Sequence, residues 1–119
     1  YAQYNLGIMY CDGEGVKQDF AQAISWYRKA AGQGHAGAQF NLGAMYQRGV
    51  GVAQDFVEAV RWYRKAADQG EAGAQYKLGF IYENGLGVTK NIEEAGRWYR
   101  KAADQGYRMA DRKLNQNGR

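Results

Sequence analysis

Trp-Tyr-Arg-Lys-Ala-Ala stands at residues 62–67, and the same six residues occur at 26–31 and 98–103. The copies are 36 residues apart, and an ungapped alignment at that period gives identical residues at nearly half of the positions. A fixed period of this length is typical of proteins in which each repeat is one supersecondary unit that packs on its neighbours. The aligned repeats cover residues 2–37, 38–73 and 74–109.

The repeats predict a single solenoid domain over residues 1–119. Each unit needs only its neighbours to bury apolar surface, so a chain of this length can form such a domain. Leu114 continues a leucine series with the same period, which predicts a partial fourth repeat, a capping helix, over 110–119. The chain begins inside a segment that the later repeats predict to be helical, so we expect it to be a piece of a longer protein.

Each repeat is predicted to contain two helices, which makes the fold all-α. In the second repeat, Leu42, Gly43 and Tyr46 have the spacing of one helix face, and this predicts helix A over about 36–47. The recurrence of Ala59, Trp62 and Ala66 predicts helix B over about 56–69 in the same way. Glycines at the ends of both segments are typical helix stops.

The start of helix B carries a capping box. Asp55 is a good N-cap residue, and Glu58 follows three positions later, where its side chain is expected to return a hydrogen bond to the Asp55 amide. Gly43 is expected to let neighbouring helices approach closely. Trp62 and Tyr63 are expected to fill the spaces between hairpins, so that Trp62→Ala would cost about 3–5 kcal/mol.

These residues resemble the Sel-one-like repeat family, a relative of the tetratricopeptide repeat. The motif is Ala-x-x-x-Leu-Gly-x-x-Tyr-x-x-Gly-x-Gly-Val followed by Asp or Asn and Ala-x-x-Trp-Tyr-x-x-Ala-Ala-x-x-Gly, three times over. The resemblance implies a right-handed superhelical α/α solenoid of helix-turn-helix repeats whose A helices line a concave surface. It also implies an adaptor that assembles protein complexes, and a bacterial protein that is periplasmic or exported.

Positions that differ between otherwise matching repeats predict a partner-binding groove, because the repeated framework does not dictate them. They form one stripe on helix A, beside the constant Leu and Tyr face. An exposed Phe80 with polar neighbours is a plausible anchor for a peptide. The predicted groove residues are Asn5, Ile8, Asp12, Asn41, Ala44, Arg48, Lys77, Phe80 and Asn84. The alternative is that these positions only face solvent, where the residue type can vary without consequence.

Invariant Arg-Lys pairs form a basic band on helix B, at 28–29, 64–65 and 100–101, next to Arg61 and Arg97. One interpretation is a solvated face whose aliphatic stems cover aromatic rings. The other is contact with an anionic polymer. Net charge is +4 and the sequence pI is about 9.2, which is mildly basic but falls short of the concentrated basic patch of nucleic-acid binders, so no nucleic acid is expected.

Catalytic chemistry is not indicated. The single histidine, His35, and Ser25 lie on different sides of a predicted helix end without a third partner. Cys11 aligns with Gln47 and Glu83, which predicts an exposed, incidental thiol, and as the one cysteine it cannot pair within the chain. We expect no enzyme activity, no cofactor, no metal site and no membrane span.

The function expected from these observations is that of a protein-interaction scaffold. A cysteine-rich bacterial branch of the family is linked to penicillin binding, but its paired cysteines are missing here. A cell-envelope module that binds peptidoglycan or a penicillin-like ligand is the first alternative, and an anionic-polymer binder is the second.

Overall fold

The computed structural model describes the backbone of residues 2–116 and the side chains of residues 2–114. This part of the chain consists of α-helices joined by short loops, without a strand. The helices are α1 (Ala2–Asp12), α2 (Phe20–Gly32), α3 (Ala36–Arg48), α4 (Phe56–Asp68), α5 (Ala72–Asn84), α6 (Ile92–Asp104) and α7 (Arg108–Gln116). Each helix packs chiefly on the helices before and after it, and the molecule measures 47 × 27 × 22 Å. The predicted all-α repeat solenoid is confirmed.

The predicted bounds of helices A and B agree with α3 and α4 to within one residue. The Asp55 side chain accepts hydrogen bonds from the backbone N–H groups of Val57 and Glu58, at 3.0 and 3.1 Å, and so caps α4 as expected. The second hydrogen bond predicted for the capping box, between the Glu58 side chain and the Asp55 amide, is wrong. The Asp55 amide donates instead to the Tyr46 carbonyl at 2.9 Å, which closes the loop onto α3. The Glu58 carboxylate pairs with Arg61.

The A helices have caps that the sequence pattern did not reveal. His35 Nδ1 accepts a hydrogen bond from the Ala38 N–H at 3.0 Å, and Glu71 Oε1 accepts one from the Gly73 N–H at 2.7 Å. The Nδ1 atom can accept only in the neutral imidazole. Partial burial lowers the pKa of His35, which favours that neutral form. A histidine and a glutamate thus do the same structural work in successive repeats.

The core between the two helices of a hairpin is built from a glycine and a tyrosine. A Cβ atom added to Gly43 would lie 2.8 Å from the ring of Tyr63, so the close approach predicted for this glycine is confirmed. Tyr63 is 0% exposed. Trp62 is only half-buried, with the Lys65 ammonium 5.7 Å from its ring centroid. The expectation that Trp62 is a buried residue is therefore wrong, although its ring packs against the core.

Buried glutamines connect one hairpin to the next. The Gln75 amide donates to the Ala67 carbonyl on the preceding hairpin at 3.2 Å, and its oxygen accepts from Gln105 at 2.8 Å. Gln39 makes the same two contacts, with the Ala31 carbonyl and with Gln69. Each glutamine satisfies both ends of its amide, which removes most of the cost of burying it.

The last described helix, α7, packs on the third hairpin. Ala110 is buried, the rings of Tyr107 and Tyr76 lie 5.3 Å apart, and Lys113 lies 3.5 Å from Glu83 on α5. The capping helix predicted for 110–119 overlaps α7, and its final residues, 117–119, lie outside the described part of the chain.

Candidate functional site

The predicted groove residues lie on α1, α3 and α5, three on each helix, and none of them is fully buried. Four are exposed: Asn5, Asp12, Arg48 and Asn84. Five are half-buried: Ile8, Asn41, Ala44, Lys77 and Phe80. The stripe is therefore accessible along its whole length.

A cavity of about 330 Å³ opens between α1 and α3. Five predicted residues line it, namely Ile8, Asp12, Asn41, Ala44 and Arg48. Three further lining residues, Cys11, Tyr27 and Met45, were not predicted. The structure thus brings together five of the six predicted residues of the first two repeats, whereas Asn5, Lys77, Phe80 and Asn84 lie outside this cavity.

A second cavity, of about 240 Å³, continues the first toward the start of α2. It shares Cys11, Ala44, Met45 and Arg48 with the first cavity and adds Phe20 and Val50. We call the two cavities together the α1–α3 groove. Its lining is apolar in the middle, at Ala44 and Met45, with charged groups at its edge.

The α1–α3 groove exists because a small residue stands at its centre. Ala44 occupies the position that Ile8 and Phe80 hold in the other two repeats. Phe80 is half-buried and belongs to neither apolar core cluster of the described residues. It therefore presents aromatic surface on the same stripe where Ala44 leaves a hollow.

The floor of the groove is electrically neutral at physiological pH. Burial raises the pKa of the Tyr27 hydroxyl to about 12, and burial followed by the nearby Asp12 charge raises the pKa of the Cys11 thiol. A raised pKa disfavours the thiolate, which is the reactive form. A catalytic role for this cysteine gains no support from its surroundings.

The expectation that Cys11 occupies an exposed position is wrong. Cys11 is half-buried, and the two aligned side chains accept hydrogen bonds from the core tyrosines of their own hairpins. The Tyr63 hydroxyl donates to Gln47 at 2.6 Å, and the Tyr99 hydroxyl donates to Glu83 at 2.7 Å. The position is a partner for the tyrosine hydroxyl, and that role is why a polar or polarisable residue occurs there.

Two cations, Arg48 on α3 and Lys77 on α5, lie near each other on the stripe of predicted residues. Burial, and then the charge of Arg48, lowers the pKa of the Lys77 ammonium. Lys77 and Arg48 occupy the positions that Asn41 and Asp12 hold one repeat earlier, where both line the α1–α3 groove. The repeat geometry accordingly places the two positive side chains on facing positions of adjacent A helices.

The basic band on helix B is largely engaged within the protein. The Arg28 guanidinium donates to the Tyr46 hydroxyl, and Arg64 donates to the Tyr82 hydroxyl. Lysine ammonium groups lie 4.5 Å from the ring centroids of Trp26 and Trp98. Arg61 and Arg97 pair with the glutamates one turn earlier, Glu58 and Glu94. This arrangement agrees with the interpretation of a solvated face over aromatic rings.

The described residues contain neither a metal-binding cluster nor a membrane-spanning helix. In residues 2–116, no cluster of histidine, cysteine and acidic side chains has the composition to hold a metal ion. No helix in the same part of the chain is long and apolar enough to span a bilayer.

Comparison with known proteins identifies the repeat. A family model described as Sel1 repeat matches residues 1–35, 36–71 and 72–107. No match to the sequence was found among curated proteins.

Solved structures with the same repeat are similar over nearly the whole chain. A Sel1 repeat protein from Oxalobacter formigenes is 49% identical with a TM-score of 0.88, over 92% of this chain and 43% of that one. The antigen c5321, described as a protective antigen of uropathogenic Escherichia coli strains with an SLR fold, is 49% identical with a TM-score of 0.94. The match covers 95% of this chain and 24% of that one.

A third solved structure is more distant. The Helicobacter pylori cysteine rich protein B is 25% identical with a TM-score of 0.77, over 92% of this chain and 84% of that one. The chain spans less than half the length of the first two structures.

Proposed function

The chain belongs to the Sel1 repeat family, and we propose that it binds a partner peptide or protein in the concave groove lined by α1, α3 and α5. Sel1 repeat proteins are in general protein–protein interaction scaffolds without catalytic activity.

The observation that carries the proposal is the α1–α3 groove. Ile8, Ala44 and Met45 provide apolar lining, and Asp12 and Arg48 provide charges at the edge. A cavity of about 330 Å³ can accept a large side chain of a partner. Binding energy in protein interfaces is concentrated where such an anchor enters a pocket and is surrounded by polar contacts.

The remaining predicted residues extend this surface along the solenoid. Phe80 offers a second apolar contact one repeat further on, and Asn84 and Lys77 lie on the same helix. Asn5 and Asn41 occupy the position aligned with Lys77 on α1 and α3. An extended or helical segment lying across the three A helices would meet one apolar side chain and polar neighbours at each step.

Two features of the chain argue against the other function classes. The helix B cations bond to tyrosine hydroxyls, cover tryptophan rings or pair with glutamates, so the band offers little free charge to an anionic polymer. Cys11 is kept in its thiol form and His35 caps α3, so neither serves as a ready nucleophile or base.

Affinity capture from a lysate of the source organism, compared across matched variants, tests the proposal. Ala44→Arg fills the α1–α3 groove with a charged side chain. Ser25→Arg adds the same side chain to the exposed face of α2, where the aligned residues are already Arg61 and Arg97. We expect the same protein to be captured by the native chain and by Ser25→Arg, and to be lost with Ala44→Arg.

The other results each exclude the groove. Equal capture by all three chains, or loss with Ser25→Arg alone, would assign binding to helix B. Capture of no protein, together with saturable binding of soluble cell-wall fragments, would favour an envelope module instead. Circular dichroism of each variant checks that the solenoid is folded.

A further inference from the structure

Arg48 and Lys77 are neighbouring cations that the fold itself does not require. The position of Lys77 is held by Asn5 and Asn41 in the other repeats, and that of Arg48 by Asp12 and Asn84. Neutral or acidic residues therefore satisfy the same framework. The packing of the solenoid does not demand two adjacent positive charges there.

Neither cation has an acidic partner within the described side chains. The ion pairs among residues 2–114 are Arg61 with Glu58, Arg97 with Glu94 and Lys113 with Glu83. Arg28 and Arg64, by contrast, donate to tyrosine hydroxyls. Burial, and then the like charge of Arg48, disfavours the charged form of the half-buried Lys77 side chain.

Apolar surface lies directly beside both charges. Phe80 follows Lys77 by three residues on α5, and Arg48 follows Ala44 by four residues on α3, so each pair shares one helix face. A ligand that bridges the two helices here meets two positive groups flanked by an aromatic ring and a hollow. These groups are complementary to a peptide in which an acidic residue stands next to an apolar one.

We propose that Arg48 and Lys77 together bind a carboxylate of the partner peptide, while an adjacent apolar side chain of that peptide packs on Phe80 or enters the α1–α3 groove. The inference rests on the proposed function and specifies its partner as an acidic-apolar peptide segment. An arginine guanidinium forms two parallel hydrogen bonds with a carboxylate, and an ammonium adds a third.

A peptide carboxylate fits better than a polyanion. Asp12 lines the same groove as Arg48, and Glu83 lies on α5 one residue before Asn84. A nucleic acid or other densely charged polymer lying along the A helices would meet these acidic groups as well as the cations. A single compact anion needs only the Arg48–Lys77 position.

Selection of short random peptides displayed on phage against the full chain supplies the probe. The most enriched peptide is synthesised twice, once as selected and once with its Asp and Glu residues replaced by Asn and Gln. Affinities are measured by fluorescence anisotropy for the native chain, Lys77→Asn, Lys77→Arg and Lys17→Ala. Lys17 is exposed in the loop after α1 and aligns with Ala53, so Lys17→Ala removes the same charge outside the groove.

We expect the amide peptide to bind the native chain about tenfold more weakly, as for a lost charge-assisted hydrogen bond. Lys77→Asn should show a similar loss with the acidic peptide and little further loss with the amide peptide. Lys77→Arg and Lys17→Ala should keep the native affinity to within about twofold. The midpoint of thermal unfolding should rise in Lys77→Asn, because a repelling charge is removed.

Equal binding of the acidic and amide peptides, or native affinity in Lys77→Asn, would overturn the carboxylate site. If Ala44→Arg abolished binding in the same experiment, the groove would stand and only the carboxylate assignment would fall. Weaker binding by Lys77→Asn with a lower unfolding midpoint would indicate structural damage and would also overturn it. If the native chain enriched no peptide, this inference would fall, whereas the proposed function would still be decided by the affinity capture with Ala44→Arg.

Discussion

Three tyrosines of helix B, rather than the tryptophans before them, lie deepest in the core. Tyr27, Tyr63 and Tyr99 are 3%, 0% and 1% exposed, and each ring sits against the glycine of the preceding A helix. The hydroxyl groups of Tyr63 and Tyr99 donate to Gln47 and Glu83 on helix A. One residue thus combines the largest apolar contact of a hairpin with a polar contact at its end.

We expect Tyr63→Ala to lower the free energy of unfolding by about 3–5 kcal/mol, because it empties a fully enclosed site. Trp62→Ala should cost less, since Trp62 is half-buried and water can fill part of the space. Urea unfolding of both variants measures the difference. A larger loss in Trp62→Ala would contradict the assignment of the core to the tyrosines.

A methyl group added at Gly43 has no room. Its Cβ would lie 2.8 Å from the Tyr63 ring, so we expect Gly43→Ala to destabilise the fold by about 1–3 kcal/mol despite the better helix propensity of alanine. Gly96 in α6 is the matched control, because no atom lies within 4 Å of a Cβ built there. Gly96→Ala should stabilise by about 0.5–1 kcal/mol, and an equal effect of both substitutions on urea unfolding would contradict the account.

The order of burial at 62 and 63 could not be predicted from the sequence. Trp62 and Tyr63 are adjacent and equally constant across the repeats, so periodicity places both near the apolar face of helix B. Which of them is enclosed depends on the distance between the two helices of a hairpin. That distance follows from Gly43, whose lack of a side chain admits the Tyr63 ring.

At the scale of the elements, caps and buried amides define where helices end and how hairpins join. The Asp55 cap was predictable because side chain and amide partner lie three residues apart in the sequence. The alternative use of the Asp55 amide, which donates to the Tyr46 carbonyl, depends on the path of the loop and carries no local signal. The same holds for His35, whose capping role depends on a backbone conformation that a turn sequence does not specify.

The glutamine contacts between hairpins provide a test at this scale. Gln75→Met keeps the shape of a side chain that is 5% exposed but leaves the Gln105 amide without its acceptor. We expect a loss of about 1–3 kcal/mol in the free energy of unfolding, because the substitution removes both hydrogen bonds of a buried amide. Gln22→Met, at an exposed position of α2, should change stability little. Equal stability of the two variants would show that the glutamine contacts do not hold the hairpins together.

At the scale of the whole molecule, the fold follows from the repeat alone, whereas the groove follows from departures from it. The period and its helical spacing predict the hairpins, and variable positions predict the stripe that contains Ala44 and Phe80. The contributions of Cys11, Tyr27 and Met45 to the groove could not be predicted, because they come from neighbouring helices that meet only in the folded stack. The proximity of Arg48 to Lys77 could not be predicted for the same reason, because the two residues belong to different repeats.

Charge at this scale favours the concave face as the binding surface. The chain has a net charge of +4, yet most helix B cations are engaged by tyrosines, tryptophans or glutamates of the same molecule. Arg48 and Lys77 have no acidic partner among the described side chains. We therefore expect them to contribute more to partner recognition than the helix B cations. Electrostatic complementarity of this kind acts mainly on specificity and on the rate of association.

An NMR titration of the chain with the enriched peptide shows directly whether the peptide binds to the face lined by α1, α3 and α5. We expect the amide shift changes to concentrate on α1, α3 and α5, strongest near Ala44 and Phe80, while α4 and α6 change little and α2 changes only near Phe20 and Tyr27, which line the α1–α3 groove. The Ala44→Arg variant should show no such changes at the same peptide concentration. Shift changes concentrated on α2, α4 and α6 would contradict the account and move the binding surface to the opposite face of the solenoid.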